Sequence, residues 1–110
     1  GRGSQVVNTG GEKVFPEEVE EALKTHPDVR DAVVVGIPDA RFGEKVCAVV
    51  DVREGAEPTL ADFAAHLKGR LADYKTPRAL VLAPVVRAPN GKVDYKGVRA
   101  QALEALGVRA

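Results

Sequence analysis

Two runs of β-branched residues constrain the fold of this chain more than any other feature. The first centres on Val33-Val34-Val35 within residues 31–37, and the second occupies residues 46–52. A strand with one face in water alternates apolar and polar residues, whereas an unbroken apolar run is typical of a strand covered on both faces. We therefore expect two buried strands with other elements packed on each side of them.

Three further segments have the apolar spacing of a helix and are delimited by capping or breaking residues. Pro16 suits a first helical turn, and Pro27 would end that helix. Thr59 and Asp94 are placed to cap the second and third helices. The apolar positions are Val19, Ala22, Leu23 and His26 in the first segment, Leu60, Phe63, Ala64, Leu67 and Leu71 in the second, and Val98, Ala102 and Leu106 in the third.

The remaining strand signals are short. Residues 79–82 are predicted to form a third strand, and residues 5–8 and 13–15 could be the arms of a small hairpin. The expected fold class is α+β: a small mixed or antiparallel sheet of about three strands with helices packed on it, plus a short N-terminal hairpin. A chain of 110 residues suits one domain with a modest core.

Charge and cysteine content narrow the classes of partner. Sixteen basic side chains balance sixteen acidic ones, so we expect neither a nucleic-acid partner nor an anionic membrane surface. The sequence has no apolar span long enough for a transmembrane segment. Cys47, the only cysteine, lies in an apolar run, which predicts a buried thiol rather than a nucleophile and fits a cytoplasmic protein.

Acidic and histidine side chains do not predict a metal site. His26 and His66 each lack a nearby set of ligands, and we interpret both as structural. A group of glutamates on the first predicted helix is expected to face mostly water and to stabilise the N-terminal turns. These glutamates are Glu17, Glu18, Glu20 and Glu21.

Two polar, glycine-rich loops are the candidate functional features. Residues 9–13 read Thr-Gly-Gly-Glu-Lys, and residues 89–94 read Pro-Asn-Gly-Lys-Val-Asp. Lys92 is a compact, flexible cation suited to phosphate and carboxylate oxygens. The alternative is an ordinary type I′ hairpin turn, in which a lysine after Asn-Gly is simply solvated. Gly11 would let a narrow ligand pass close to the backbone, or would serve a turn that needs positive φ.

A set of short motifs runs along the chain in a distinctive order. They are Gly-Arg at 1–2, Gly-Gly-Glu-Lys-Val-Phe-Pro-Glu-Glu-Val-Glu at 10–20, Val-Val-Gly-Ile-Pro-Asp at 34–39, Phe-Gly-Glu at 42–44, Tyr-Lys-Thr-Pro at 74–77 and Asn-Gly-Lys-Val-Asp at 90–94. In this order and spacing the chain resembles the small C-terminal domain of adenylate-forming acyl-CoA synthetases, and bacterial fatty acyl-CoA synthetases most. The resemblance implies that residues 1–110 are a fragment, with the large N-terminal adenylation domain of the same polypeptide outside them.

The resemblance also implies substrates and residue roles. The family uses ATP with Mg²⁺, held mainly by the large domain, together with CoA and a carboxylic acid. Lys92 matches the lysine that assists attack of the carboxylate on the α-phosphate of ATP. Gly11 matches the glycine beside which the pantetheine of CoA passes once the domain has rotated. Gly10, Glu12 and Lys13 belong to the same loop, and Lys13 is a candidate for a phosphate contact.

Further assignments concern the N-terminus, one helix end and the surroundings of the loops. Arg2 matches an arginine that reaches nucleotide oxygens, and Gly3 with Ser4 matches the hinge, where many members have Asp or Lys in place of this serine. Lys68 is a candidate contact for the 3′-phosphate of CoA. Asn90 departs from the Ser or Thr that many members have before the loop glycine. Tyr74 and Tyr95 are expected to pack beside the lysine-bearing loops.

Two other functions stay open at this stage. A related adenylating enzyme that loads a carrier protein would use the same two loops. A stand-alone interaction domain would use neither of them for chemistry.

Overall fold

The computed structural model describes residues 5–109, which form five strands and three helices. The predicted α+β class is confirmed. In chain order the elements are β1 (Val7–Thr9), β2 (Glu12–Val14), α1 (Pro16–Leu23), β3 (Val29–Asp39), β4 (Gly43–Val52), α2 (Leu60–Leu67), β5 (Ala79–Leu82) and α3 (Tyr95–Leu106). A short 3-10 turn at Asp73–Lys75 precedes β5.

A long antiparallel pair of strands, β3 and β4, forms the centre of the sheet. Their register runs from Val29 opposite Val52 to Asp39 opposite Gly43. β5 pairs with β4 in parallel, so the sheet is mixed as predicted. The β1–β2 hairpin joins the same sheet, because Thr9 pairs with Gly43 at the start of β4. The sheet therefore has five strands rather than about three, since the hairpin is part of it.

The central strands are covered on both faces, as their apolar runs predict. Successive side chains of a strand point to opposite faces. Residues such as Val34 and Ala48 pack with Phe63 in a core under α1 and α2. Residues such as Val33 pack with Val98 in a second core under α3. Two apolar layers thus pack against β3 and β4, and a loop that is hydrogen-bonded to these strands is held in place by them.

Capping residues define the starts of two helices. Thr59 and Asp62 form a reciprocal capping box, in which the Asp62 amide donates to Thr59 Oγ1 at 3.1 Å and the Thr59 amide donates to Asp62 Oδ2 at 2.8 Å. Asp94 Oδ1 accepts from the Gly97 amide at 3.1 Å at the start of α3. Both predicted caps, Thr59 and Asp94, are confirmed.

Two predicted helical positions are wrong, and a third residue is helical but does not face inward as predicted. α1 ends at Leu23, three residues before His26. α2 ends at Leu67, so Leu71 lies outside it and packs at the edge of the first core. Leu106 closes α3 but is 37% exposed, because the buried part of that helix ends at Leu103. Apolar spacing alone did not detect where each helix leaves the sheet.

Among residues 5–109, no helix combines the length and apolar character needed to cross a membrane.

Candidate functional site

The glycine pair forms the tip of the β1–β2 hairpin. Gly10 and Gly11 have φ of +59° and +87°, and positive φ at both central residues defines a type I′ turn. The predicted need for positive φ at Gly11 is therefore confirmed. A Cβ added at Gly10 would lie 3.1 Å from Phe42 Cδ1, whereas a Cβ at Gly11 would meet no atom within 4 Å. Gly11 thus presents open backbone to anything that approaches the tip.

Contacts with the β3–β4 turn hold the hairpin tip in place. The Gly10 amide donates to the Phe42 carbonyl at 2.9 Å, and the Asn8 amide donates to Glu44 Oε1 at 2.9 Å. The Glu44 carboxylate lies against Gly36, where an added Cβ would be 2.9 Å from Oε2. Gly36 therefore makes room for the carboxylate that anchors the hairpin. Glu12 and Lys13 remain exposed on this loop.

The lysine-bearing loop is a compact turn over residues 88–92. The Gly91 amide donates to the Ala88 carbonyl at 2.8 Å, with Pro89 and Asn90 at the two central positions. Gly91 has φ of +85°, and no described residue other than glycine has positive φ. The turn is therefore not type I′, which would need a left-handed Asn90. Asn90 instead accepts from the Lys92 amide through Oδ1 at 3.0 Å.

The Lys92 side chain is exposed, and within the described part of the chain it has no hydrogen bond or ion pair. The segments on either side of the turn are bonded to other elements. Arg87 forms an ion pair with Asp31 of β3 at 2.7 Å. The Tyr95 hydroxyl donates to Glu20 Oε2 of α1 at 2.9 Å. A free cation is thus carried on a turn whose two ends are fixed.

Glu20 corrects one prediction. It is only 5% exposed, and its Oε2 also accepts from the Val34 amide at 2.9 Å. Glu17, Glu18 and Glu21 do face water, but Glu20 lies three residues before the buried Leu23 and shares its inward face. Burial raises the pKa of the Glu20 carboxyl, and burial together with Glu20 raises the pKa of the Tyr95 hydroxyl.

The two loops lie at opposite ends of β3. The Lys92 turn is bonded through Arg87 to Asp31, at the start of the strand. The glycine tip is bonded to the turn that follows Asp39, at its end. At a rise of about 3.3 Å per residue, the two attachment points are about 26 Å apart. The loops can therefore reach the same external point only if the whole domain changes orientation.

The model of a known family, described as the AMP-binding enzyme C-terminal domain, matches residues 18–92. The chain belongs to this family. That match covers more than half of the chain and includes Lys92 as its last residue.

Relatives of this AMP-binding C-terminal domain are much longer proteins. A Mycolicibacterium smegmatis protein named medium/long-chain-fatty-acid–CoA/3-oxocholest-4-en-26-oate–CoA ligase is 59% identical over 97 residues, which cover 87% of this chain and 18% of that protein. The crystal structure of apo MatB from Rhodopseudomonas palustris superposes with a TM-score of 0.86 at 36% identity, over 96% of this chain and 21% of that one. A Mycobacterium tuberculosis fatty acyl CoA synthetase gives a TM-score of 0.85 at 29% identity, over 93% and 20%.

Other residues predicted for this AMP-binding C-terminal domain are not gathered at either loop. Lys68 caps the C-terminal end of α2 and is exposed. It lines a surface cleft of about 820 Å³ together with Ala64, Asp73 and Arg78, and neither candidate loop contributes to that cleft. The predicted positions Arg2, Gly3 and Ser4 lie outside the described residues. Tyr74 is 37% exposed, and Lys75 Nζ lies over its ring, 5.7 Å from the centroid.

The histidines and the cysteine have structural surroundings. The His26 and His66 rings meet edge to face at 5.0 Å. Thr25 Oγ1 donates to the Ala22 carbonyl at 2.6 Å, so it is placed to accept from His66 Nε2, 2.7 Å away. Cys47 is fully buried, as predicted, and burial raises the pKa of its thiol to about 11. A thiol of that kind is inert at neutral pH.

Sequence reasoning missed the side chains that hold the two loops, namely Asp31, Arg87 and Glu44. A charged residue beside an apolar run is unremarkable by itself, and the partner of Arg87 lies 56 residues away. Glu20 left a usable signal, because its spacing from Leu23 placed it on the buried face of α1.

Proposed function

We propose that this chain is the mobile C-terminal domain of an ATP-dependent, AMP-forming acyl-CoA ligase whose large N-terminal adenylation domain lies in the same polypeptide. The observation that carries the proposal is the placement of Lys92 and the Gly10-Gly11 tip at opposite ends of β3. One orientation of the domain presents the lysine to an active site, and a rotation presents the glycine tip to the same site. Membership of the AMP-binding C-terminal family supports this assignment.

In the first half-reaction, Lys92 would stabilise the transition state for adenylate formation. A carboxylate oxygen attacks the α-phosphorus of ATP, the bond to the bridging oxygen breaks, and pyrophosphate leaves with the electron pair. Attacking group and nucleotide are both anionic, so a cation placed between them offsets their repulsion. The exposed ammonium on a short, fixed turn suits this role, because nothing in the described domain competes for its charge.

In the second half-reaction, the glycine tip would line the path of CoA. The thiol sulfur attacks the acyl carbon of the adenylate, the bond from that carbon to the phosphate oxygen breaks, and AMP leaves while the thiol proton is released. Pantetheine is a narrow chain, and the open space at Gly11 would let it run along the backbone. A side chain at this position would narrow the path.

The remaining assignments are proposals of the same kind. Gly3 and Ser4 would form the hinge, Arg2 would contact nucleotide oxygens, and Lys13 and Lys68 would contact phosphates of the substrates. The described residues contain no group of three or more His, Cys, Asp or Glu side chains that could hold a metal ion. The Mg²⁺ that accompanies ATP would be held mainly by the N-terminal domain, as the family resemblance implies.

The acid substrate is proposed to carry a large apolar body. The M. smegmatis relative is named for medium- and long-chain fatty acids and for 3-oxocholest-4-en-26-oate. Both kinds of substrate present a carboxylate at the end of a long apolar group. The acid panel for a test therefore includes fatty acids of several lengths and that steroid acid.

Lys92→Ala in the full-length enzyme tests the proposal. Loss of one preorganised cation should lower adenylate formation by about 100- to 1,000-fold, measured as pyrophosphate release. Thioester formation from a supplied acyl-adenylate should survive, because Lys92 has then left the site. Lys96→Ala removes an exposed lysine from the next helix and serves as the matched control. Equal loss of both half-reactions would contradict the two-orientation mechanism.

The same assay tests two further points: which thiol accepts the acyl group, and whether the isolated chain has any activity. The isolated 110-residue chain should release no pyrophosphate, since the phosphate loop and adenine pocket belong to the other domain. Faster turnover with a holo-carrier protein than with CoA would favour a carrier-loading enzyme. A full-length protein that adenylates no acid of the panel would favour an interaction domain without chemistry.

A further inference from the structure

The guanidinium of Arg87 bridges the sheet and the lysine turn. Its Nε and Nη2 atoms donate to the two carboxylate oxygens of Asp31 at 2.8 and 2.7 Å. Its Nη1 atom donates to the carbonyl oxygen of Gly91 at 3.0 Å. One planar group therefore connects β3 with the residue immediately before Lys92.

The anchor on the sheet side is held through both its backbone and its side chain. Asp31 pairs with Asp51 in the β3–β4 ladder, and its Oδ1 also accepts from the Ala32 amide at 2.9 Å. Only 25% of the Asp31 side chain and 32% of the Arg87 side chain are exposed. Bidentate arginine–carboxylate pairs fix direction as well as distance. The hydrogen bond from Arg87 holds the pKa of the Asp31 carboxyl below its usual range, so the pair stays charged at neutral pH.

The turn has no other polar attachment of its own among the described residues. The bonds between Ala88, Asn90, Gly91 and Lys92 are all internal to the turn. The hydrogen bond from Arg87 to the Gly91 carbonyl is the one that enters from outside. Val93 packs against the second core and Tyr95 bonds Glu20, so the base of the turn stays in place without this hydrogen bond. What the turn loses is the contact that fixes the Gly91 carbonyl relative to β3. Lys92 follows Gly91 directly, so a shift of the Gly91 carbonyl also shifts the backbone that carries the lysine.

We propose that Arg87 is a positioning residue for the adenylation half-reaction, and that it acts by fixing the Gly91 carbonyl relative to Asp31. This inference rests on the proposed role of Lys92. A misplacement of about 1 Å in a reacting group can lower a rate by about a hundredfold. Arg87 is needed only while Lys92 is in use, so its loss should leave the thioester step intact.

Arg87→Lys in the full-length enzyme is the first test. A lysine retains the positive charge but, as a single ammonium, cannot hold Asp31 and the Gly91 carbonyl in a fixed fork. We expect the kcat for pyrophosphate release to fall by about tenfold to a hundredfold, with the KM for ATP unchanged. Asp31→Asn should also lower the kcat for pyrophosphate release, because the Arg87 guanidinium loses its charged partner.

Arg53→Lys is the matched control. Arg53 also forms an ion pair with an aspartate, through a single contact of 2.6 Å from its Nε to Asp28 Oδ1, but neither residue touches the lysine turn. The control should leave both half-reactions at the wild-type rate. Melting temperatures of all variants separate misplacement from unfolding.

A charge-swapped double variant, Asp31→Arg with Arg87→Asp, separates positioning from a purely structural ion pair. It restores the attraction between the two positions, but a carboxylate at position 87 cannot donate to the Gly91 carbonyl. We expect adenylation to stay low. Recovery of the wild-type rate would overturn the inference, as would equal loss of both half-reactions in Arg87→Lys.

Lys92→Ala in the same assay distinguishes a failure of the proposed function from a failure of the positioning role of Arg87. If Lys92→Ala leaves adenylation intact, the proposed function is wrong. If Lys92→Ala abolishes adenylation while Arg87→Lys and Asp31→Asn are normal, only the positioning role is wrong.

Discussion

Gly11→Leu should block the CoA step of the full-length enzyme without harming the adenylation step. The chain offers a matched control for the backbone strain, because Gly11 and Gly55 have φ of +87° and +86°. At both positions an added Cβ would meet no atom within 4 Å. The two leucine variants therefore carry the same penalty, about 1–2 kcal/mol for a left-handed conformation, and differ only in location.

The stability of the 110-residue chain checks that premise. Each kcal/mol lowers the melting temperature of a domain of this size by about 4–8 °C. Gly11→Leu and Gly55→Leu should lower it by equal amounts. A larger loss for Gly11→Leu would mean that the tip has packing contacts that its open surroundings do not indicate.

The two half-reactions are then measured on the full-length variants. Both variants should release pyrophosphate at the wild-type rate. Only Gly11→Leu should lose CoA-dependent thioester formation, because only its side chain stands in the proposed pantetheine path. Normal thioester formation by Gly11→Leu, or an equal loss in Gly55→Leu, would refute the placement of Gly11 in the pantetheine path.

Three further predictions concern stability and reactivity. Burial raises the pKa of the Glu20 carboxyl above its ordinary value of 4.5. Its contribution to stability is therefore present below pH 4.5 and is lost as the pH rises through the raised pKa. In thermal melts from pH 4 to 8, Glu20→Gln should gain stability relative to wild type as the pH rises, and a relative loss would contradict this. Cys47, fully buried and with its thiol pKa raised to about 11, should resist alkylation in the folded chain and react at once in denaturant, so rapid labelling of the native chain would be contrary evidence. Thr59→Ala should cost about 1 kcal/mol in chemical denaturation through loss of the α2 cap, with a serine at the same position restoring it.

Local features of this fold could be predicted from the sequence because each depends on residues close along the chain. The unbroken apolar runs around Val34 and Ala48 predicted strands buried on both faces, and both faces are covered. Thr59 and Asp94 marked helix starts, since a cap acts within three residues. The positive φ of Gly11 followed from the conformational freedom of glycine in a tight turn.

Predictions were wrong where a neighbour distant in sequence decides the outcome. Glu20 was expected in water, but it lies on the inward face of α1, where its burial is tolerated because a backbone amide of β3 and the Tyr95 hydroxyl, 75 residues away, donate to it. The hairpin was expected apart from the sheet, yet Thr9 pairs with Gly43 and makes it part of five strands. One local prediction was also wrong: the Asn-Gly pair favoured a type I′ turn, but the Asn90 side chain bonds the amide of Lys92, two residues on, and of the pair only Gly91 is in the left-handed region.

The sequence by itself determined the components of the candidate site: a lysine on a glycine turn, and a second turn with two adjacent glycines. Only the tertiary structure decided that these turns lie at opposite ends of β3 and which side chains hold each of them. Turn shape depends on the φ preferences of a few consecutive residues. The separation of the turns, and the Arg87–Asp31 pair across 56 residues, depends on the packing of two cores around one sheet.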